Sequence, residues 1–164
     1  MGTGVDIIGI DPGVGGGMCQ MSWEGTVFAL TKMPETEADI AEWIREKAPL
    51  CKAAYLEKVH SMPKQGVAST FTFGKNYGFL RGALITAGIP VIDVTPQKWM
   101  KALGIGVRTA DMSKADGKRQ LKALAQQWYP TLMKEITLKT CDALLIARYG
   151  RMEQLGYHDG RREA

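Results

Sequence analysis

At 164 residues, with 45% hydrophobic and 23% charged side chains, the chain has the size and composition of one folded domain. Collagen, coiled coil and long disordered tails are excluded, and no apolar run approaches the ~20 residues that cross a bilayer. Lys and Arg total 21 against 17 Asp and Glu, a formal charge of +4, and the excess is local: residues 96–139 carry 9 basic and 3 acidic side chains, whereas residues 1–95 carry 8 and 10. A basic segment on a near-neutral body points to a polyanionic partner such as nucleic acid.

The N-terminus shows no charged segment leading into an apolar stretch, so no signal or transit peptide is expected. Cys19, Cys51 and Cys141 are odd in number, widely spaced and set in apolar sequence. They match neither a zinc-ligand spacing nor a disulfide framework, and read as buried free thiols of an intracellular, cytoplasmic protein.

In chain order, Val5–Asp11 (VDIIGID) is a short apolar run ending in a carboxylate and then Pro-Gly, the pattern of a buried strand entering a turn. Gly16–Trp23 and Thr26–Thr31 read as a hairpin turning through Trp-Glu-Gly. Thr36 with Asp39 resembles a capping box and opens an amphipathic helix through about Ala48. Ala53–Val59 is again strand-like and carries Glu57 within its apolar pattern.

Ser69 to about Ala87 reads as a long helix, along which Gly74, Gly78 and Gly82 repeat every four residues. Each interior Gly costs a helix about 1 kcal/mol, so the stripe implies close approach of something: the sheet, another helix or DNA. Gly88 ends the helix, Ile89–Val94 forms the next strand, and Thr95-Pro96 caps a helix through Leu103. A Gly-rich stretch from Gly104 to Asp111 reads as a mobile loop. A basic helix follows from Ser113 to Trp128, and Thr140 is expected to cap a last helix, CDALLIARYGRMEQL. The order, βββαβαβα with trailing helices and no linker or repeat, describes a single α/β domain over residues 1–164.

Three carboxylates stand out. Asp11 ends an apolar strand and faces the glycines Gly15–Gly17; Glu57 lies in a second strand; Asp142 opens an apolar helix. Each has a structural alternative, a turn cap for Asp11 or a helix-dipole contact for Asp142. Three isolated carboxylates on three elements of one domain suggest a cluster for hard divalent cations. Two such ions can activate water and stabilise a leaving oxygen in phosphodiester cleavage.

IGIDPG ending in Asp11, YLEKV around Glu57 and CDALLIARYG beginning at Cys141 resemble, in order and spacing, the successive motifs of RuvC-family Holliday junction resolvases. FTFGKNYGFLRGAL and VTPQKWMKAL are similar to the phage-encoded and chloroplast branches of that family. The resemblance runs from about Val5 to Gly150 and leaves a C-terminal tail, residues 151–164.

That resemblance implies an RNase H-like fold: a five-stranded mixed sheet, with three antiparallel strands first and parallel strands after, flanked by helices. It implies a homodimer, in a bacterium or a phage-infected cell and with no membrane association, that resolves four-way (Holliday) junctions by paired, metal-dependent hydrolysis, giving 5′-phosphate and 3′-hydroxyl ends. Carried over residue by residue, Asp11, Glu57 and Asp142 would ligate two Mg²⁺ or Mn²⁺ ions, and Lys118 would support the scissile phosphate. His60 and Met62 would reach the junction centre, and Lys64, Lys75 and Arg119 would contact phosphates. Many relatives carry an acidic residue or His three positions before the last Asp, on the same helix face; here it is Lys139, so one metal site would be weaker, completed by another group or lost, or Lys139 would itself steady phosphate charge. That departure keeps open the alternative of a branched-DNA-binding module with weak or no cleavage. A nucleotide-binding protein of the actin type is disfavoured, because the chain is too short for two lobes and Gly15–Gly17 lacks the Gly-Lys-Ser/Thr ending of a P-loop.

Overall fold

The computed structural model describes residues 6–58, 66–106, 111–158 and 161–162, the final strand pair by its backbone. Five strands, β1 (Asp6–Asp11), β2 (Gly17–Met21), β3 (Val27–Lys32), β4 (Cys51–Glu57) and β5 (Val91–Val94), form one sheet in the order β3-β2-β1-β4-β5. β1–β2 and β2–β3 pair antiparallel, while β1–β4 and β4–β5 pair parallel. The helices are α1 (Glu37–Lys47), α2 (Val67–Thr86), α3 (Pro96–Ala102), α4 (Lys114–Trp128) and α5 (Cys141–Gln154). A short ribbon, β6 (Tyr157–His158) with β7 (Arg161–Arg162), follows. Among the described residues no helix is long and apolar enough to cross a membrane.

Strand alternation divides the isoleucines of β1 between two cores. Ile8 and Ile10 pack with Ile40 and Ile44 of α1 and Leu80 and Leu84 of α2. Ile7 faces the other way, into a core built with Tyr55, Trp99 of α3, Leu121 and Ala125 of α4, and the buried face of α5. α5 reaches β1 unusually closely because Gly9 has no side chain: a Cβ there would stand 2.4 Å from both the Ala143 carbonyl oxygen and the Ala147 nitrogen. On the α2 side, the Tyr77 hydroxyl and the Arg81 guanidinium both donate to Asp93 Oδ1 at 2.6 Å, fixing α2 to the edge strand β5.

The caps behave as local chemistry dictates, with one exception. Thr36, Thr95 and Ser113 each accept from the backbone N–H three residues on. Thr140 does not cap α5: its backbone is helical rather than extended (φ −104°, ψ −19°), and its hydroxyl donates to the Glu135 carbonyl and accepts from Thr137 N–H. It ties the preceding turn together instead. The glycine stripe of α2 also departs from one expectation, since a Cβ at Gly74, Gly78 or Gly82 would meet nothing within 4 Å. The stripe does not pack on the sheet, and it shares the outer surface of α2 with the exposed Phe71 and Ile85. The three cysteines are free, Cys19 and Cys141 buried and Cys51 half-buried.

Candidate active site

Parity and register bring the site together. Gly9 pairs with Tyr55 and Ile10 with Leu56 across the parallel β1–β4 ladder, so Asp11 and Glu57 are neighbours at the C-terminal ends of adjacent strands. Both occupy the alternation positions of Ile7 and Tyr55, which place them on the α5 face. α5 contributes Asp142 in its first turn, one residue before the Ala143 that rests on Gly9. Gly16 closes the other side, where a Cβ would lie 2.0 Å from the Asp11 carbonyl oxygen.

Glu57 and Asp142 are buried and Asp11 is nearly so. Lys118, projecting from α4, pairs with Asp142 and stands 3.3 Å from Asp11 Oδ2. Its pKa is raised: burial alone would lower it, but the charges of Asp142 and Asp11 outweigh that. The Trp99 indole N–H donates to Glu57 Oε2 at 2.7 Å, and the Cys141 thiol donates to Asp142 Oδ1 at 3.4 Å. Trp99 and Cys141 were not singled out from the sequence, where an apolar-spaced Trp and a lone Cys look like core. Only the contact of each with a carboxylate gives it away.

The electrostatics are those of a cluster short of positive charge. Asp11 is pushed up to about 6, by burial first and then by Asp142. Glu57 is pushed up to about 8, again by burial first and then by Asp11, with the Trp99 hydrogen bond opposing. One ammonium among three carboxylates does not neutralise them. Among the described residues no three such side chains close on a common point as a ready-made single-ion site, and the Lys118 ammonium stands between two of the three. The donor set itself suits Mg²⁺: hard carboxylate oxygens, few in number, with room for water and phosphate.

Stability should report that deficit. A carboxyl whose pKa is raised by folding keeps a proton that the unfolded chain has already released, so stability is lost as pH rises above the unfolded value. For Glu57 the window runs from 4.5 to about 8, with a slope near 1.4 kcal/mol per pH unit per group. Lys118, already charged in both states over that range, does not change the slope. Urea denaturation in chelator at pH 5, 6.5 and 8 is therefore expected to give falling stability, and saturating Mg²⁺ to remove the fall. Trp99→Phe keeps the core volume but deletes the donor to Glu57, and should weaken Mg²⁺ binding roughly tenfold by calorimetric titration.

The remaining positions read from the sequence are more dispersed. Lys139 precedes α5 rather than sharing a helix face with Asp142, because the helix begins at Cys141. It is exposed and lines a groove of about 380 Å³ with Lys32, Thr72 and Asn76. Lys75 is exposed and paired with Glu37, and Arg119 is exposed and paired with Asp116. His60, Met62 and Lys64 lie outside the described residues, as do residues 107–110 of the glycine-rich Gly104–Asp111 stretch.

A five-stranded mixed sheet in this order, flanked by helices, is an RNase H-like fold. Among such folds the chain has that of RuvC. It superposes on a Thermus thermophilus RuvC structure with a TM-score of 0.58, at 19% identity over 94% of this chain and 98% of the other. The T. thermophilus RuvC solved in complex with a Holliday junction substrate gives a TM-score of 0.57 at 17% identity, again over 94% and 98%. No family model matches the sequence. No curated protein matches it either.

Proposed function

We propose that this protein is a structure-selective endonuclease that resolves four-way DNA junctions by paired, metal-dependent hydrolysis, leaving 5′-phosphate and 3′-hydroxyl ends. The observation that carries the reading is the convergence of Asp11, Glu57 and Asp142 around Lys118 at the C-terminal edge of the central strands. The RuvC fold of the chain, and the junction bound to one of the structures it resembles, support this substrate class.

Asp11, Glu57 and Asp142 would together hold two Mg²⁺ or Mn²⁺ ions. Those ions supply positive charge that lowers the pKa of a water and stabilises the leaving oxygen. The chain's own groups do the rest. Trp99 holds Glu57 Oε2, and Oε1 has no hydrogen-bond partner among the described residues. Lys118, displaced from Asp11 and Asp142, would meet the non-bridging oxygens of the scissile phosphate. The basic segment that carries α3 and α4, with Lys75, Arg119 and Lys139, would track the backbone, and His60, Met62 and Lys64 would lie at the junction centre. A homodimer sets two sites at a fixed separation matching two opposed strands. The glycine stripe of α2 with Phe71 and Ile85 supplies an uncovered, close-approach surface for a second copy.

The test is cleavage of an end-labelled synthetic junction in Mg²⁺ beside a linear duplex of the same sequence. Paired, ligatable nicks in the junction alone are expected. Tight junction binding with no cleavage in either Mg²⁺ or Mn²⁺ would replace this reading by that of a branched-DNA-binding module, the outcome that a permanent Lys118 ion pair and Lys139 would favour.

A further inference from the structure

The carboxylate oxygens of the cluster are not equally available. Both oxygens of Asp142 already receive a hydrogen, Oδ1 from the Cys141 thiol at 3.4 Å and Oδ2 from the Lys118 ammonium. Lys118 also reaches Asp11 Oδ2 at 3.3 Å. Asp11 Oδ1 and Glu57 Oε1, by contrast, accept no hydrogen bond among the described residues. The cluster therefore has an open half, at Asp11 and Glu57, and a closed half at Asp142.

The obstacle at Asp142 is the lysine. A thiol is a weak donor and gives up an oxygen easily. An ammonium and a divalent cation on one carboxylate repel each other at short range, in a part-buried place where water screens them poorly. Net charge runs the same way. Fully ionised, three carboxylates and one ammonium sum to −2, which a single divalent ion cancels. A second ion gains Asp142 only if Lys118 leaves, and leaving strands a part-buried ammonium without an anion. A phosphodiester at the site changes that balance, because its non-bridging oxygens offer Lys118 a new partner.

We propose that Lys118 is a latch on the metal site: the free protein takes one ion at Asp11 and Glu57, and Asp142 accepts a second only when a DNA phosphate draws Lys118 away. The proposal deepens the endonuclease reading and rests on it. By linkage, DNA and the second ion tighten one another by the same factor. The complete site then exists only where a phosphodiester is already in place.

The experiment counts bound Mn²⁺ by the loss of its free-ion electron paramagnetic resonance signal, with the spin coupling of a close ion pair as a second signature. Wild type alone is expected to bind one ion tightly per chain. A four-way junction with phosphorothioate linkages around the branch, which keep the phosphate charge and slow hydrolysis, should raise the count to two. Lys118→Met should reach two without DNA. Its second ion should bind roughly 10–100-fold more tightly than in wild type, the scale of one hydrogen bond to a charged group. Lys118→Gln serves as the second latch variant, and thermal melts establish that each variant folds. Lys114→Met removes a charge one helical turn earlier on α4, in the same cleft, and should stay within about twofold of wild type.

Two ions held tightly by wild type without DNA overturn the latch and leave the endonuclease reading standing. A single ion in folded Lys118→Met and Lys118→Gln does the same, as does an equal gain in Lys114→Met. A count that stays at one with the junction bound overturns the exchange of partners. No bound ion in wild type, with or without the junction, overturns the latch and the metal-dependent reading together.

Discussion

Asp11→Asn is expected to bind a four-way junction as tightly as wild type while cleaving it at least ~10³-fold more slowly, a loss of about 4 kcal/mol of transition-state stabilisation. Asn preserves the shape of the side chain but brings no charge to hold a cation, and Asp11 is the carboxylate with another on either side. The same variant should be more stable than wild type without metal, by about 3 kcal/mol at pH 8. The reason is that Asp11 is pushed up to about 6, burial and Asp142 outweighing the 3.3 Å contact with Lys118. Removing a charge that folding disfavours relieves the fold. Activity and stability thus move in opposite directions, as at a site kept for function rather than for folding. Chemical denaturation in chelator and single-turnover cleavage read the two effects separately. A destabilised Asn variant would make Asp11 the structural half of an ion pair, and unimpaired cleavage would remove it from the site.

Gly9→Ala should have the largest effect on the fold. Its new methyl would meet the Ala143 carbonyl oxygen and the Ala147 nitrogen at 2.4 Å, and both are backbone atoms that cannot swing aside. The strand or α5 must move, at about 3 kcal/mol or more. Because Asp142 rides on α5 next to Ala143, the same displacement pulls one carboxylate away from Asp11. An ångström of misplacement costs on the order of 10²-fold in rate. A lower urea midpoint together with slower cleavage by the folded fraction is the expected result. Gly15→Ala is the control, since a Cβ there meets nothing within 4 Å and stability should stay within ~0.5 kcal/mol. If both alanine variants unfold at the wild-type urea concentration, the close packing of α5 on β1 is wrong.

Most of the strand and helix order was legible because it rests on local rules. The apolar runs of β1, β4 and β5 and the caps Thr36, Thr95 and Ser113 need only near neighbours in sequence to act. Thr140 failed for the converse reason. A hydroxyl at a helix start caps only with extended backbone, and the preceding turn, held by Glu135 and Thr137, decides that conformation. The α2 glycines, spaced for close contact, could not be assigned a partner from spacing alone, and among the described residues they have none.

For the site, the sequence by itself determined which residues are anomalous: Asp11, Glu57 and Asp142 stand out because a carboxylate in an apolar run is expensive without a partner. It also placed the basic excess in the segment that became α3 and α4. What only the tertiary structure decided is who those partners are. Parallel register sets Asp11 beside Glu57, the missing side chain of Gly9 lets α5 deliver Asp142, and α3 and α4 aim Trp99 and Lys118 into the same space. Asp11 and Glu57 lie 46 residues apart in sequence, Glu57 and Trp99 42, and Asp11 and Lys118 107, and packing across the sheet joins them. Sequence periodicity reaches only one element at a time, so it can mark a residue as needing company without saying where that company stands.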